Sequence, residues 1–382
     1  MKSRHLFLLL CSSALGAMSY GVMFTLLDDY RDAYSISESK LGFLVAAGFI
    51  TGFIANVLIA PLADRGHAKK LVLFGISVEI IGCLTMAFGG SFPILLLGRF
   101  LTGLGSGSSE PAIRRIIILA NPDNMGRNLG LSVSAGVGGF ALGPVISAVT
   151  AEAFGLAAPF LIITALLIIT FIGISQLHVA ETAVEDAPTQ RVAFDLLRIR
   201  PLLGAIIIGL ALFVMIGTFD ALWSVMMDDI AAPTWVASVG ITIFALPMLF
   251  LAPLGGRLTQ QVGPFKASIS GLSIAALFMA TYGIIGSPYV MLGIGLAHGV
   301  VDGLTITGGS AAIALVAPRE RLASAQGLYS GMQTLTGGLA AGTAGFAYEQ
   351  IGRHTFWVCT IVMLVLIGSG AFLARGNLRI KG

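Results

Sequence analysis

The chain alternates between long apolar stretches and short polar connections. Twelve stretches reach the roughly 20 residues that a helix needs to cross a bilayer. They fall at about 6–27, 39–62, 70–90, 93–118, 128–151, 155–177, 202–227, 235–256, 266–286, 288–316, 322–347 and 354–374. Most connections are very short, so neighbouring helices are expected to run antiparallel and to pack together. The pattern predicts an all-α membrane protein with twelve transmembrane helices.

A single long polar segment interrupts this pattern. It is "HVAETAVEDAPTQRVAFDLLRIR" at 178–200, and it separates two sets of six apolar stretches. We therefore predict an N-terminal six-helix bundle at 1–177, a linker at 178–200 and a C-terminal six-helix bundle at 201–382.

Composition excludes a soluble protein. Hydrophobic residues make up 56% of the chain and charged residues only 11%, whereas soluble domains carry about 25% charge. The first apolar run continues to Leu27 without a clear cleavage site, which favours a transmembrane helix over a signal peptide. The three cysteines lie in three different apolar runs, and nothing in their spacing suggests a metal site, a disulfide or a cofactor.

The distribution of Lys and Arg predicts the orientation. Most of the 22 basic residues lie at the chain ends or in connections on the same side as those ends. By the positive-inside rule, both termini and the 178–200 linker are expected to be cytoplasmic. The expected location is the inner (plasma) membrane of a bacterial cell. The modest net charge of +3 reflects this sorting and gives no indication of nucleic-acid binding.

Several short phrases occur twice, at matching places in the two halves. "APLADR" at 60–65 returns as "APLGGR" at 252–257, and "LLDD" at 26–29 returns as "MMDD" at 226–229. Similar pairs link the fourth span with the tenth and the fifth with the eleventh. Together they indicate a duplicated six-helix unit, and two such pseudo-symmetric bundles are expected to place a binding site between them near the membrane midplane.

Three phrases resemble motifs of the major facilitator superfamily. "APLADRGHAKK" at 60–70 is similar to that family's loop between helices two and three, with matches at Asp64, Arg65, Lys69 and Lys70. "RFLTGLGSG" at 99–107 resembles its helix-four motif. "GFALGPVISA" resembles its helix-five motif; the matches are Gly139, Gly143 and Pro144, whereas Ser147 and Ala148 stand where glycine is usual.

The resemblance implies the major facilitator fold, and the helix-five motif implies the branch that exchanges drugs for protons. It also implies that the loop at 60–70 forms a charge latch, which closes the cytoplasmic side while the outer side is open. Asp64 is placed to cap a helix N-terminus or to pair with Arg114 or Arg115. The competing interpretation is a solvated turn that serves only topology.

Charged residues inside apolar runs are candidate functional groups, because each costs about 2.5–3.5 kcal/mol at mid-bilayer on insertion scales. Arg99 and Glu110 lie eleven residues apart, which puts them on one face of a helix about 16 Å apart along its axis. Arg99 is a candidate for the proton path, and Glu110 for proton or substrate binding. Alternatively, Glu110 and Arg114 form a structural ion pair at i, i+4.

Further candidates are two pairs in the second half of the chain and a single acid in the first half. Asp220 and Trp223 are one turn apart, and an acid beside an aromatic ring can hold a cationic, apolar ligand. His298 and Asp302 are spaced i, i+4 and can relay protons, orient a polar substrate or form a satisfied buried pair. Glu79, in the third span, has no partner that the sequence identifies.

These features predict a secondary transporter and not an enzyme. We expect a proton-coupled exporter of small amphipathic or drug-like compounds, acting as a monomer in the lipid bilayer by alternating access. The alternative is an exporter or proton-linked importer of a polar metabolite such as a sugar or amino acid. An intramembrane enzyme would need a nucleophile and a base, and only His298 with Asp302 hints at such a pair.

Overall fold

The computed structural model describes residues 3–179, 188 and 192–378. Within these residues the chain is helical and contains no strand. Part of the predicted 178–200 linker, at 180–187 and 189–191, lies outside the described residues, as do the two ends of the chain.

Fourteen α-helices are found in the described residues. They are α1 (Ser3–Thr25), α2 (Leu27–Tyr34), α3 (Glu38–Leu58), α4 (Ala68–Phe88), α5 (Phe92–Ala120), α6 (Met125–Phe154), α7 (Ala158–Ser175), α8 (Arg200–Asp229), α9 (Thr234–Val262), α10 (Pro264–Tyr282), α11 (Pro288–Thr305), α12 (Thr307–Val316), α13 (Leu322–Ile351) and α14 (Thr355–Leu373).

Twelve of these helices have 18 residues or more, and they correspond one to one with the twelve predicted spans. The other two are short: α2 follows α1 after a break at Leu26, and α12 continues α11 after a break at Ile306. Ten stretches are apolar and long enough to span a membrane by length and composition alone. This number is two below the twelve long helices for two reasons. The helix α5, which contains charged residues, is not included, and α13 and α14 are counted as one stretch. The predicted all-helical fold is confirmed.

Local sequence explains where many helices begin. Proline is the first or second residue of α5, α7, α8, α10 and α11. Proline suits this position because its fixed φ is helical and its missing N–H would have no intrahelical acceptor there. Large apolar side chains such as Phe43, Phe88 and Phe250 lie on the outside of the protein. A lipid environment explains this exposure, since apolar side chains on the outside of the protein are stable in contact with lipid acyl chains.

The chain folds into two compact units. Unit 1 comprises Met1–Pro122, Ala135–Phe194 and Pro318–Gly331, and unit 2 comprises Asp123–Ser134, Asp195–Ala317 and Met332–Gly382. The first part of α13 therefore belongs to unit 1, and the first part of α6 belongs to unit 2. The two six-helix bundles at 1–177 and 201–382, which we inferred from the sequence pattern, stay a prediction.

Small residues allow the helices of each unit to approach closely. In unit 1, α4 and α5 pack through Gly75 and Gly105, and a Cβ atom on Gly75 would lie 2.6 Å from the carbonyl oxygen of Gly105. In unit 2, α8 and α14 pack through Gly204 and Gly370 in the same way. Close packing of this kind holds membrane helices together where no hydrophobic driving force exists between them.

Candidate functional site

Asp64 lies at the end of a short 3-10 helix, Ala60–Arg65, which connects α3 to the turn before α4. The turn is made by Gly66 at φ 80°, a left-handed conformation that glycine adopts without steric cost. Asp64 is completely buried in unit 1. A buried carboxylate needs hydrogen-bond donors to offset its lost hydration.

Four donors surround this carboxylate. The backbone N–H groups of Ala323 and Ser324 donate to it at 2.9 and 2.7 Å, and the Ser324 hydroxyl donates at 2.7 Å. Arg115 Nε lies 3.1 Å from Asp64 Oδ1. Asp64 thus caps the N-terminus of α13, where the helix dipole favours negative charge, and it also forms a buried ion pair. Of the two arginines that the sequence offered, Arg115 is the partner.

The other basic residues of this loop lie nearer the surface. Lys69 Nζ donates to the carbonyl oxygen of Ser175 at 2.7 Å, at the end of α7, where a cation is favourable. Arg65 is half-buried and Lys70 is exposed. These positions suit charges that reach water at the membrane surface.

Arg114 belongs to a second network in unit 1. Its Nε lies 3.2 Å from Glu110 Oε1, and its Nη1 donates to the Ser330 hydroxyl at 2.7 Å. The Ser13 hydroxyl donates to the other oxygen of Glu110 at 2.7 Å. Glu110 and Arg114 are both partly exposed, so the pair joins α1, α5 and α13 at an accessible place.

Arg99 lies on the same helix as this pair but in a buried setting. Its side chain is 1% exposed, and its guanidinium carbon lies 3.9 Å from the centroid of the Tyr20 ring. Its Nε and Nη2 have no hydrogen-bond acceptor among the described residues. A Cβ atom on Gly48 would lie 2.6 Å from the guanidinium, so glycine makes the room for it.

The face shared by Arg99 and Glu110 is turned toward α1. Arg99 contacts Tyr20 and Glu110 contacts Ser13, and these two α1 residues are seven apart, or about two turns. Only the position of α1 against α5 gives Ser13 and Tyr20 these specific partners.

The glycine motif of the fifth span packs α6 against α1. A Cβ atom on Gly139 would overlap the Ala14 carbonyl, and one on Gly143 would lie 2.6 Å from the Val22 nitrogen. Pro144 approaches Gly21 from the same face. Gly139, Gly143 and Pro144 therefore share one helix interface within unit 1.

In unit 2, His298 and Asp302 form a buried pair on α11. His298 Nε2 lies 3.6 Å from Asp302 Oδ2, and it also lies 3.1 Å from Met215 Sδ. The other ring nitrogen, Nδ1, is 3.3 Å from the Tyr282 hydroxyl. Neither oxygen of Asp302 has a hydrogen-bond donor within the part of the chain that the structure describes.

Aromatic rings enclose His298. Phe244 meets it edge-on at 5.0 Å and Phe278 stacks on it at 5.1 Å. Tyr282 extends this cluster toward Trp223, and Phe219 joins these two rings. Neither Tyr282 nor Met215 could be found by spacing, because each lies on a different helix from His298.

Asp220 and Trp223 do not share an environment. Trp223 is 1% exposed inside the aromatic cluster, whereas Asp220 lies on an exposed face of α8. The two residues, three apart on α8, therefore differ in exposure, and the expected joint site of an acid and an aromatic ring stays a prediction.

Metal chemistry finds no support among the described residues, where no three His, Cys, Asp or Glu side chains come together to hold an ion. The chain is a multi-pass helical membrane protein, with buried charges inside its helices and a buried carboxylate at a helix junction.

A family model named Major Facilitator Superfamily matches residues 6–229 and 202–377. The chain belongs to that family, and the predicted resemblance is confirmed. In fold it is similar to the human organic anion transporter MFSD10 (TETRAN), with a TM-score of 0.79, 14% identity, and coverage of 96% of this chain and 99% of the other.

Curated relatives come from animals and bacteria. The human synaptic vesicular amine transporter is 24% identical over 277 residues, which cover 69% of this chain and 52% of that protein. The quinolone resistance protein NorA of Staphylococcus aureus is 28% identical over 151 residues, 39% of each chain. The chain thus matches about half the length of the amine transporter. The members of the family are transporters and not enzymes, as the sequence predicts.

Proposed function

We propose that the protein is a proton-coupled secondary transporter that exports small amphipathic or drug-like compounds by alternating access. The observation that carries this proposal is the buried set of Tyr282, His298 and Asp302 in unit 2. The names of the relatives, which include amine transporters and a quinolone resistance protein, support the substrate class.

Asp302 has the properties of an exchangeable proton site. An ionised carboxylate buried without donors is costly, so a neutral acid or a charged histidine partner is favoured. When Tyr282 donates to Nδ1, the proton of the neutral imidazole lies on Nε2, which faces Asp302; in the other tautomer Nδ1 donates to Tyr282 and Nε2 can accept a proton from Asp302. The three side chains can therefore hold protons at defined atoms without water.

Asp220 is our candidate contact for a cationic substrate. It is exposed on α8, within a stretch whose other residues are mostly apolar. An acid in such a setting attracts an amine while the surrounding surface accepts its apolar part. This role does not require Trp223, which lies inside the aromatic cluster and supports the helix packing around His298.

Transport then follows from competition between proton and substrate. Each ligand shifts the populations of the inward-open and outward-open states only as far as its affinities for the two states differ. Asp64 and the basic loop at 65–70 would bias this equilibrium as a latch. Glu110, Arg114 and Arg99 would contribute from α5, and the interface of Gly139, Gly143 and Pro144 would let α6 move against α1. In this proposal both termini are cytoplasmic and the protein lies in an inner membrane.

The test uses inverted membrane vesicles with a proton gradient and a pH-sensitive dye. Ethidium, a lipophilic cation, should release protons from vesicles that contain the protein, and Asp302→Asn should abolish this release. Glu349→Gln is the matched control, because Glu349 is an exposed acid at the end of α13. Proton release with sugars or amino acids, and none with amphipathic compounds, would contradict the drug substrate and favour the polar metabolite carrier.

A further inference from the structure

Unit 1 contains a second buried acid that the function proposed above does not use. Glu79, on α4, is 1% exposed, and neither of its carboxylate oxygens has a hydrogen-bond partner among the described residues. It lies between two glycines. A Cβ atom on Gly16 of α1 would be 3.0 Å from Glu79 Oε1, and one on Gly105 of α5 would be 2.5 Å from Glu79 Cγ.

This enclosure makes a charged Glu79 unfavourable in the conformation described. An ionised carboxylate in such a place would have lost its water without gaining a donor or a cation. The two glycines bring helix backbones to within contact of the side chain, so no room for solvating groups is left on those sides. The geometry therefore corresponds to a protonated, neutral acid.

Whereas the Glu79 carboxylate lacks hydrogen-bond donors among the described residues, the nearby Arg99 guanidinium lacks acceptors there. Arg99 has two buried nitrogens without acceptors, and its guanidinium lies on the ring of Tyr20. Tyr20 is one helical turn from Gly16, which contacts Glu79. On α5, Arg99 is six residues before Gly105, or about 9 Å along the axis. That separation is comparable to the combined length of an Arg and a Glu side chain.

None of the other ionisable groups around Glu79 among the described residues is a cation that could pair with its carboxylate in place of Arg99. They are Tyr20 from α1, Glu110 from α5 and Cys83 on its own helix. Glu110 would repel a charged Glu79, and it is itself paired with Arg114. The third helix that packs against α4 is α7, and its residues Ala158–Ser175 carry no ionisable side chain.

We propose that Glu79 is a second proton-binding site of the transport cycle, with Arg99 as its alternating partner. Glu79 is protonated while the guanidinium lies on Tyr20, and it loses its proton when the guanidinium leaves the ring and pairs with the carboxylate. The proton is taken up from water on one side of the membrane and released to water on the other. This inference rests on the proposed proton coupling, but the protonation of Glu79 can be measured without any substrate.

The first experiment is infrared difference spectroscopy of the purified full-length protein in lipid nanodiscs at neutral pH. Glu79→Gln should remove a band from the C=O stretch of a protonated carboxyl group. Arg99→Gln, which leaves Glu79 in place, should move the loss of that band to higher pH because a nearby positive charge is removed. Loss of a carboxylate band in Glu79→Gln, or no effect of Arg99→Gln, would overturn the proposal.

The second experiment measures ethidium transport in proteoliposomes. Glu79→Gln should keep ethidium exchange without a gradient, while accumulation driven by a proton gradient is lost. Gradient-driven accumulation equal to that of the wild type would overturn a role for Glu79 in coupling, even if the infrared band is found. If the wild-type protein moves no protons with any substrate, the proposed function fails, and the infrared result alone then decides whether Glu79 binds a proton.

Discussion

The phrase "APLADR" and its repeat "APLGGR" end up in two helix junctions that are held together by different chemistry. The polar junction consists of Asp64, Arg115, Ala323 and Ser324 in unit 1. The glycine junction consists of Gly126, Gly130, Ala252, Gly256 and Gln260 in unit 2. In the first, a buried carboxylate accepts four donors; in the second, backbones of α6 and α9 touch through glycine.

The replacement of Asp64 by glycine at the equivalent position explains this difference. A Cβ atom on Gly256 would overlap the carbonyl of Gly126, and one on Gly130 would overlap that of Ala252. In this junction Gln260 accepts a hydrogen bond from the Gly126 N–H at 3.0 Å and donates one to the Asp123 carbonyl at 3.2 Å. The two similar phrases thus lie in junctions of different chemistry.

Removing the acid from the polar junction should have the largest effect. Asp64→Ala removes the carboxylate that pairs with buried Arg115 and leaves two N–H groups of α13 without this acceptor. Breaking a buried ion pair in this way destabilises by about 3–5 kcal/mol. Thermal unfolding of the purified protein measures the loss. Asp123→Asn, at an exposed acid, is the control, and an equal melting temperature for Asp64→Ala and wild type would contradict the role of this carboxylate.

Filling the glycine junction should have an intermediate effect. Gly256→Ala places a methyl group against the Gly126 backbone, and overpacking of this kind costs about 1–3 kcal/mol. Gly342→Ala is the matched control, because that helical glycine has no atom within 4 Å of an added Cβ. The same unfolding assay should show a lower melting temperature for Gly256→Ala only. Equal behaviour of both variants would show that α6 and α9 tolerate a wider separation.

Removing side-chain hydrogen bonds should reveal the smallest difference in unfolding free energy between the two junctions. Ser324→Ala removes a buried bond to a carboxylate, which is expected to cost about 1.5–3 kcal/mol. Gln260→Ala removes neutral bonds at a more exposed place, which are expected to contribute about 0.5–1.5 kcal/mol. Side-by-side unfolding of the two variants measures the difference. A larger loss for Gln260→Ala would reverse our ranking of the polar and glycine junctions.

Much of the local structure follows from sequence pattern. Apolar stretches of sufficient length predict the twelve long helices, because a backbone in lipid must satisfy its own hydrogen bonds. The spacing of Glu110 and Arg114 predicts their ion pair, which the structure contains. These features depend on residues within a few turns of one another.

Other features depend on partners far apart in the chain. Arg115, and not Arg114, meets Asp64, since rotation of α5 turns one arginine inward and the other toward Ser330. Trp223 is buried whereas Asp220 is exposed, and His298 meets Met215 and Tyr282 from two other helices. Nothing in the spacing of these residues indicates which helices will pack together.

Sequence by itself therefore determined the helices, the repeated phrase and the membrane setting, since each depends on local periodicity and on the cost of exposing polar backbone to lipid. Only the tertiary structure decided that Asp64 caps α13, that Glu79 and Arg99 lie buried near each other without pairing, and that the repeat forms one polar and one glycine junction. These arrangements depend on which helix faces touch, and that choice is set by packing among residues up to 260 positions apart.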